Sequence, residues 1–168
     1  MKNFIVYLVL ALLFLVIENT LLILFFPSLL IPDVILIMVF YLGFSSRSTL
    51  GALTAFSLGY LTDVFSAGVL GASSFTLVVV FVITSMLARL LNLNSMLIKI
   101  GGTIFMSILK GILTYFVFRF LNRDIPFYII FPAAISTGII SPFIFTLLKK
   151  VEKKTKTMRY NRVDKIEM

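Results

Sequence analysis

The sequence contains no cysteine, no histidine and no tryptophan. Without cysteine there is no disulfide, no thiol nucleophile and no thiolate metal site. Without histidine, the commonest general base and transition-metal ligand is missing. Charge is scarce as well. Only 13% of the residues are charged, about half the share found in a soluble domain. Any chemistry therefore falls to seven carboxylates, fifteen cations and the hydroxyls.

What remains is apolar. Hydrophobic residues make up 60% of the 168 residues, and the mean hydropathy is +1.12. One soluble core could not hide that much apolar surface, so the composition implies a bilayer as solvent. Six apolar runs follow: Phe4–Phe26, Asp33–Ser45, Thr49–Ser66, Ser73–Leu91, Leu97–Phe120 and Pro126–Leu148. Each approaches the ~20 residues of a spanning helix, although the second is short unless Leu29–Ile31 joins it across Pro32. The predicted fold is an all-α integral membrane protein, a compact bundle of six transmembrane helices in one domain, residues 1–148. A basic cytoplasmic tail follows, residues 149–168. The first run reads as a retained helix rather than a cleaved signal peptide, because it is long, lacks a small-residue cleavage site and contains Glu18.

Orientation follows from Lys and Arg. With six spans both termini share a side. That side carries Lys2, Arg47, Arg89, Lys99 and eight cations between Lys149 and Lys165, twelve in all; the other has Arg119 and Arg123, with Lys110 in mid-span. Both termini are thus expected in the cytoplasm. The formal net charge of +8 is concentrated after the last span. It reads as a positive-inside anchor with a solvated tail, or as a contact for anionic lipid or an acidic cytoplasmic partner, and not as a nucleic-acid site.

In the third run Ser48, Ala52, Ala55, Gly59, Thr62 and Ser66 recur at spacings of four and three, all small, with Gly51, Ala55 and Gly59 forming a small-xxx-small pattern. In lipid, helices associate by close backbone approach through such residues. The spacing leaves open whether the partner is a neighbouring helix or another protein. Asp63 ends this run, facing the negative end of its own helix dipole, so it needs compensation from elsewhere. Counting about 1.5 Å per residue, Glu18 and Asp63 lie roughly 21 Å from the inner edge of a ~30 Å core, and Lys110 about 16 Å up. Asp33, after Pro32, suits a helix N-terminus at the outer boundary. Intramembrane charges face the bundle interior and pair. Glu18, Asp63 and Lys110 are therefore expected to line an outward-facing polar pocket or to form a structural ion-pair cluster. Alternatively, Asp63 caps the turn Ser66-Ala67-Gly68 at the headgroups.

These residues resemble the bacterial rod shape-determining MreD family. The resemblance rests on Ile17-Glu18, Pro32-Asp33, Tyr41, Arg47, Gly51, Gly59, the stretch "TDVFSAGVLG" with Asp63, Ser66, Leu70 and Gly71, and the ending "TGIISPFIFTLLKKVEKK" with Pro142. It covers nearly the whole chain. The sequence departs from the family at Ala67, often Gly there, and at Glu18, often an amide. The resemblance implies a non-catalytic scaffold of the wall-elongation complex in the bacterial cytoplasmic membrane. Its implied partners are the single-span protein MreC, an actin-like cytoskeletal protein, and a peptidoglycan glycosyltransferase and transpeptidase. The family's helical domain is also similar to substrate-binding subunits of energy-coupling-factor vitamin transporters, the alternative function. Against that alternative, Ala11 is the lone alanine of the first run, where those subunits carry an Ala-x-x-x-Ala docking pattern. Catalytic signatures are unmet. "GASS" at 71–74 has no histidine to serve it, and Asp63 lacks the paired-aspartate neighbours of an intramembrane protease.

A reporter fused after Met168 is expected to be active only on the cytoplasmic side; activity on the far side would refute the six-span topology with both termini in the cytoplasm.

Overall fold

The computed structural model describes residues 2–18, 20, 30–45, 49–66, 69–88, 95–122 and 127–163, with side chains between 6 and 153. Among these the chain is helical, with no strand: α1 (Lys2–Ile17), α2 (Val34–Ser45), α3 (Thr49–Phe65), α4 (Ala72–Leu87), α5 (Met96–Phe120) and α6 (Ile130–Val163), the last preceded by a 3-10 turn at Phe127–Ile129. Each apolar run thus yields one helix. Two helical stretches, Met96–Phe120 and Phe127–Lys153, are long and apolar enough to cross a membrane; Val6–Ile17, Val34–Ser45 and Ala72–Leu87 are apolar but shorter. Arg47, Ser48, Ala67, Gly68, Arg89 and Arg123 lie outside the described residues.

The shortest helix occupies the centre. Pro32 has no N–H and disfavours helix in the residue before it, so α2 begins only at Val34. Every residue from Val34 to Gly43 is buried, and α2 touches all five other helices. Around it stand two antiparallel pairs, α3 with α4 and α5 with α6, while α1 packs on α3 and α2.

Large apolar side chains lie on the outside as well as in the core. Leu53, Phe56 and Tyr60 on α3, Phe116 on α5 and Phe143 on α6 are all about half exposed or more. The hydroxyls of Thr54, Thr84, Thr103 and Thr137 are buried, each donating to the carbonyl four residues earlier. Such back-bonding satisfies a hydroxyl without water.

Helix α6 carries Pro142 internally. The missing N–H leaves the Gly138 carbonyl without its helical donor. Ser141 Oγ donates to that carbonyl at 2.7 Å, with the Lys99 carbonyl of α5 at 3.2 Å as an alternative acceptor. The helix then continues unbroken through residue 148 to Val163, so the segment expected as a solvated tail is largely a helical extension of the last run.

The small-residue seam of α3 meets a neighbouring helix. A Cβ on Gly59 would stand 2.6 Å from Ser74 N and 2.7 Å from Ser73 O, at the start of α4. The buried face is Gly51, Thr54, Ala55, Leu58, Gly59 and Asp63. It is rotated from the expected stripe, with Ser66 exposed and Ala52 half-buried, because the wider Thr54 and Leu58 also turn inward. Since backbone atoms cannot rotate away, Gly59→Ala is expected to destabilise the purified protein measurably. Gly59→Leu should cost more than about 2 kcal/mol, read as a lowered midpoint in detergent thermal unfolding. Parent-like stability of Gly59→Leu would mean α3 and α4 do not approach this closely.

Candidate functional site

Asp63 bridges two helices. It is 3% exposed and sits in the last turn of α3. Its Oδ2 accepts the Gly71 N–H at 2.8 Å and its Oδ1 accepts the Ser73 N–H at 3.0 Å. Gly71 is the N-cap of α4, with φ +95° and no side chain of its own to cap the helix. Asp63 supplies the missing acceptor from the preceding helix. The first N–H groups of a helix carry the positive end of its dipole and lack internal partners, so α4 compensates the carboxylate that α3 disfavours. Gly71 is required for a second reason, since a side chain in left-handed conformation is strained.

A second cluster gathers at the head of α2. Asp33 is the N-cap of that helix: its Oδ1 accepts the Leu36 N–H at 2.8 Å. Its own backbone N–H donates to Thr137 Oγ1 of α6 at 3.0 Å, and its Oδ2 forms an ion pair with Lys110 of α5, their side chains 26% and 14% exposed. Glu18, just past α1, lies within electrostatic reach of Asp33 and Lys110 and interacts with the Val34 backbone N–H. Its Oε2 is buried with no hydrogen-bond partner.

The expected trio of Glu18, Asp63 and Lys110 is therefore corrected. Glu18 and Lys110 do come together, but the second acid between them is Asp33. Both oxygens of Asp63 are occupied by backbone donors on α4, and α3 packs on α4 and α1 while α5 packs on α6. Lys110 stands ten residues before Phe120, the end of α5, roughly 15 Å along the helix at 1.5 Å per residue.

Beside this pair lies a cleft of about 180 Å³ between α5 and α6, lined by Asp33, Lys110, Ser107, Thr114, Tyr115 and Ile130 among others. Its upper wall joins an aromatic group: Tyr115 stacks edge-on with Phe127 at 5.5 Å, and Phe127 with Phe131 at 6.0 Å.

A third cluster went unread in the sequence. At the opposite end of α2, Tyr41 OH and Ser45 Oγ donate to Glu152 Oε2 on α6, the Ser45 bond at 3.1 Å. Tyr7 of α1 stands within electrostatic reach of the same carboxylate. Glu152 sits within a run of lysines, where an acid reads as charge balance. Only its distance of 111 positions from Tyr41, closed by the fold, gives it a role. Of the remaining expected residues, Gly51, Ala55 and Gly59 serve packing on the buried face of α3, Ser66 is exposed, and Arg47 is outside the described residues. Ser74 of the "GASS" stretch is 1% exposed and abuts Gly59.

Two coupled measurements follow. Asp63→Asn keeps one acceptor for two N–H donors, whereas Asp63→Leu leaves both buried and unpaired. Losses of about 1 and about 3 kcal/mol respectively are expected in thermal unfolding. In a double-mutant cycle, Lys110→Leu should couple to Asp33→Leu by about 1–2 kcal/mol, after allowance for partial exposure of the pair. The same lysine change should add independently to Asp63→Leu. Coupling of Lys110 to Asp63 in place of Asp33 would overturn this assignment.

Comparison of the chain with models of known protein families, with curated proteins and with solved structures finds no match; the functional reading therefore rests on residues and geometry.

Proposed function

We propose that this chain is a non-catalytic six-span scaffold of the bacterial wall-elongation complex, related to the MreD proteins. It would sit in the cytoplasmic membrane with both termini inside, and would join an MreC-type single-span protein, actin-like filaments and peptidoglycan synthases. The observation that carries the reading is the use made of buried charge. Asp63 holds α4 to α3, Asp33 and Lys110 hold α2 between α5 and α6, and Glu152 ties α6 back to α2. Charges committed to joining helices suit a rigid platform for partners. The apolar outer faces of α3, α5 and α6 favour lipid or partner helices as surroundings.

The transporter alternative needs a site for a vitamin-sized ligand. The cleft beside Lys110 holds about 180 Å³, below the roughly 300–1,000 Å³ of small-molecule pockets. Its charged pair is also already engaged in holding α2.

Co-expression with an MreC-type protein and a glycosyltransferase–transpeptidase pair, followed by purification in mild detergent, tests the proposal. Stoichiometric recovery of the wall proteins is expected, and depletion of the chain should turn rods into spheres. Recovery of a transport ATPase in place of the wall proteins, with shape unchanged on depletion, would refute it.

A further inference from the structure

The charges at the head of α2 do not balance. Glu18 and Asp33 are both acids, and Lys110 is the cation that faces them. The amino end of α2 adds about half a positive charge, which the two acids share. Asp33 Oδ1 takes the Leu36 N–H, and Glu18 interacts with the Val34 N–H. The partners are unequally divided. Asp33 also holds the Lys110 ammonium on its Oδ2, whereas Glu18 Oε2 is buried with no hydrogen-bond partner.

The surrounding helices do not correct this. Residues 72–87 of α4 and 130–148 of α6 contain no ionisable side chain, and neither does the stretch 19–29 that follows Glu18. On α3, Asp63 is held by α4 and Tyr60 is half exposed. On α5, Tyr115 lines the cleft beside Lys110, while Lys99 and Arg119 stand roughly 17 Å and 14 Å from it along the helix axis. On α1, Lys2 and Tyr7 lie at least eleven residues before Glu18. An ionised carboxylate oxygen that is buried without a donor is among the costliest groups in an apolar interior. A carboxylic acid escapes that cost by keeping its proton.

We propose that the Glu18–Asp33–Lys110 cluster is a proton-binding site, which holds one exchangeable proton at neutral pH on the Glu18 carboxyl. The proposal rests on the bilayer setting of the proposed function and on none of its wall partners. Its consequence is mechanical. Loss of the proton leaves two carboxylates competing for one ammonium, which loosens the hold of Lys110 on Asp33 where α2 begins. The junction of α1, α2 and α5 is then the place where pH acts on this fold.

The test is infrared spectroscopy of the full-length protein in phosphatidylcholine vesicles as the buffer pH is changed. At neutral pH the parent should show the carbonyl stretch of one protonated carboxylic acid. The band should shift in deuterium oxide and be lost reversibly as pH rises. Glu18→Gln, which has the shape of the neutral acid, should lack the band, and Asp63→Asn should keep it. Asp33→Asn is the more discriminating variant. It leaves Glu18 as the sole acid facing Lys110, so the band should disappear at neutral pH although Glu18 is still present. Absence of the band from the parent at neutral pH would overturn the proposal. Persistence in Glu18→Gln would place the proton elsewhere, and persistence in Asp33→Asn would take Asp33 and Lys110 out of the site; either result overturns it. So would a band that appears only when choline replaces sodium, which would identify a monovalent-cation site instead. If the band behaves as expected while the wall proteins fail to co-purify, the proton site stands and the wall-assembly role falls. A missing band beside full recovery of the wall proteins gives the reverse.

Discussion

The fold depends on keeping a twelve-residue helix at its centre. At 1.5 Å per residue α2 is about 18 Å long, shorter than the ~30 Å core of a bilayer, and polar contacts hold it near both ends. The N-terminal end is met by Asp33, which caps the helix, receives Lys110 and donates its own N–H to Thr137. At the other end Tyr41 and Ser45 reach Glu152. Both anchors lie on α6, one near its start and one near the end of its apolar part, with α5 contributing the lysine. A short helix is thus clamped lengthwise against a long one.

The remaining helices follow from that clamp. Five helices close around α2, with backbone approach at Gly59 and buried threonine hydroxyls of α3 to α6 bonded to carbonyls of their own helices. Gly59 lets α3 meet the backbone at the start of α4. The α3–α4 connection then places Asp63 where it supplies the acceptor that Gly71 lacks. Ser141 repairs the gap that Pro142 leaves in α6 and lies against α5. Each device meets a polar backbone group with another protein group, an economy that suits the proposed bilayer setting.

In the proposed scaffold role this economy has a functional meaning. Side chains committed to joining helices give a body that holds its shape while partners change. The groups left for contact include the apolar outer faces of α3, α5 and α6, which in that role suit other membrane helices.

The sequence by itself determined the helical class, the number of helices and most of their positions, because composition and run length act locally. It also identified Asp33 as a helix start and Gly59 as a packing residue, since capping chemistry and small-residue spacing are written within a few positions. It did not determine pairing. Depth along separate helices pointed Lys110 toward Asp63 and left Asp33 at the start of its own helix. The choice was made by α5 packing on α6 beside the start of α2, with α3 and its aspartate turned toward α4. Glu152 was hidden for the same reason, its partner lying more than a hundred residues away and its neighbours all basic. The extension of α6 beyond Leu148 was missed because a lysine-rich segment reads as solvated whether it coils or continues a helix. Local propensity and spacing set the elements; which charges meet depended on the three-dimensional contacts that only the closed bundle provides.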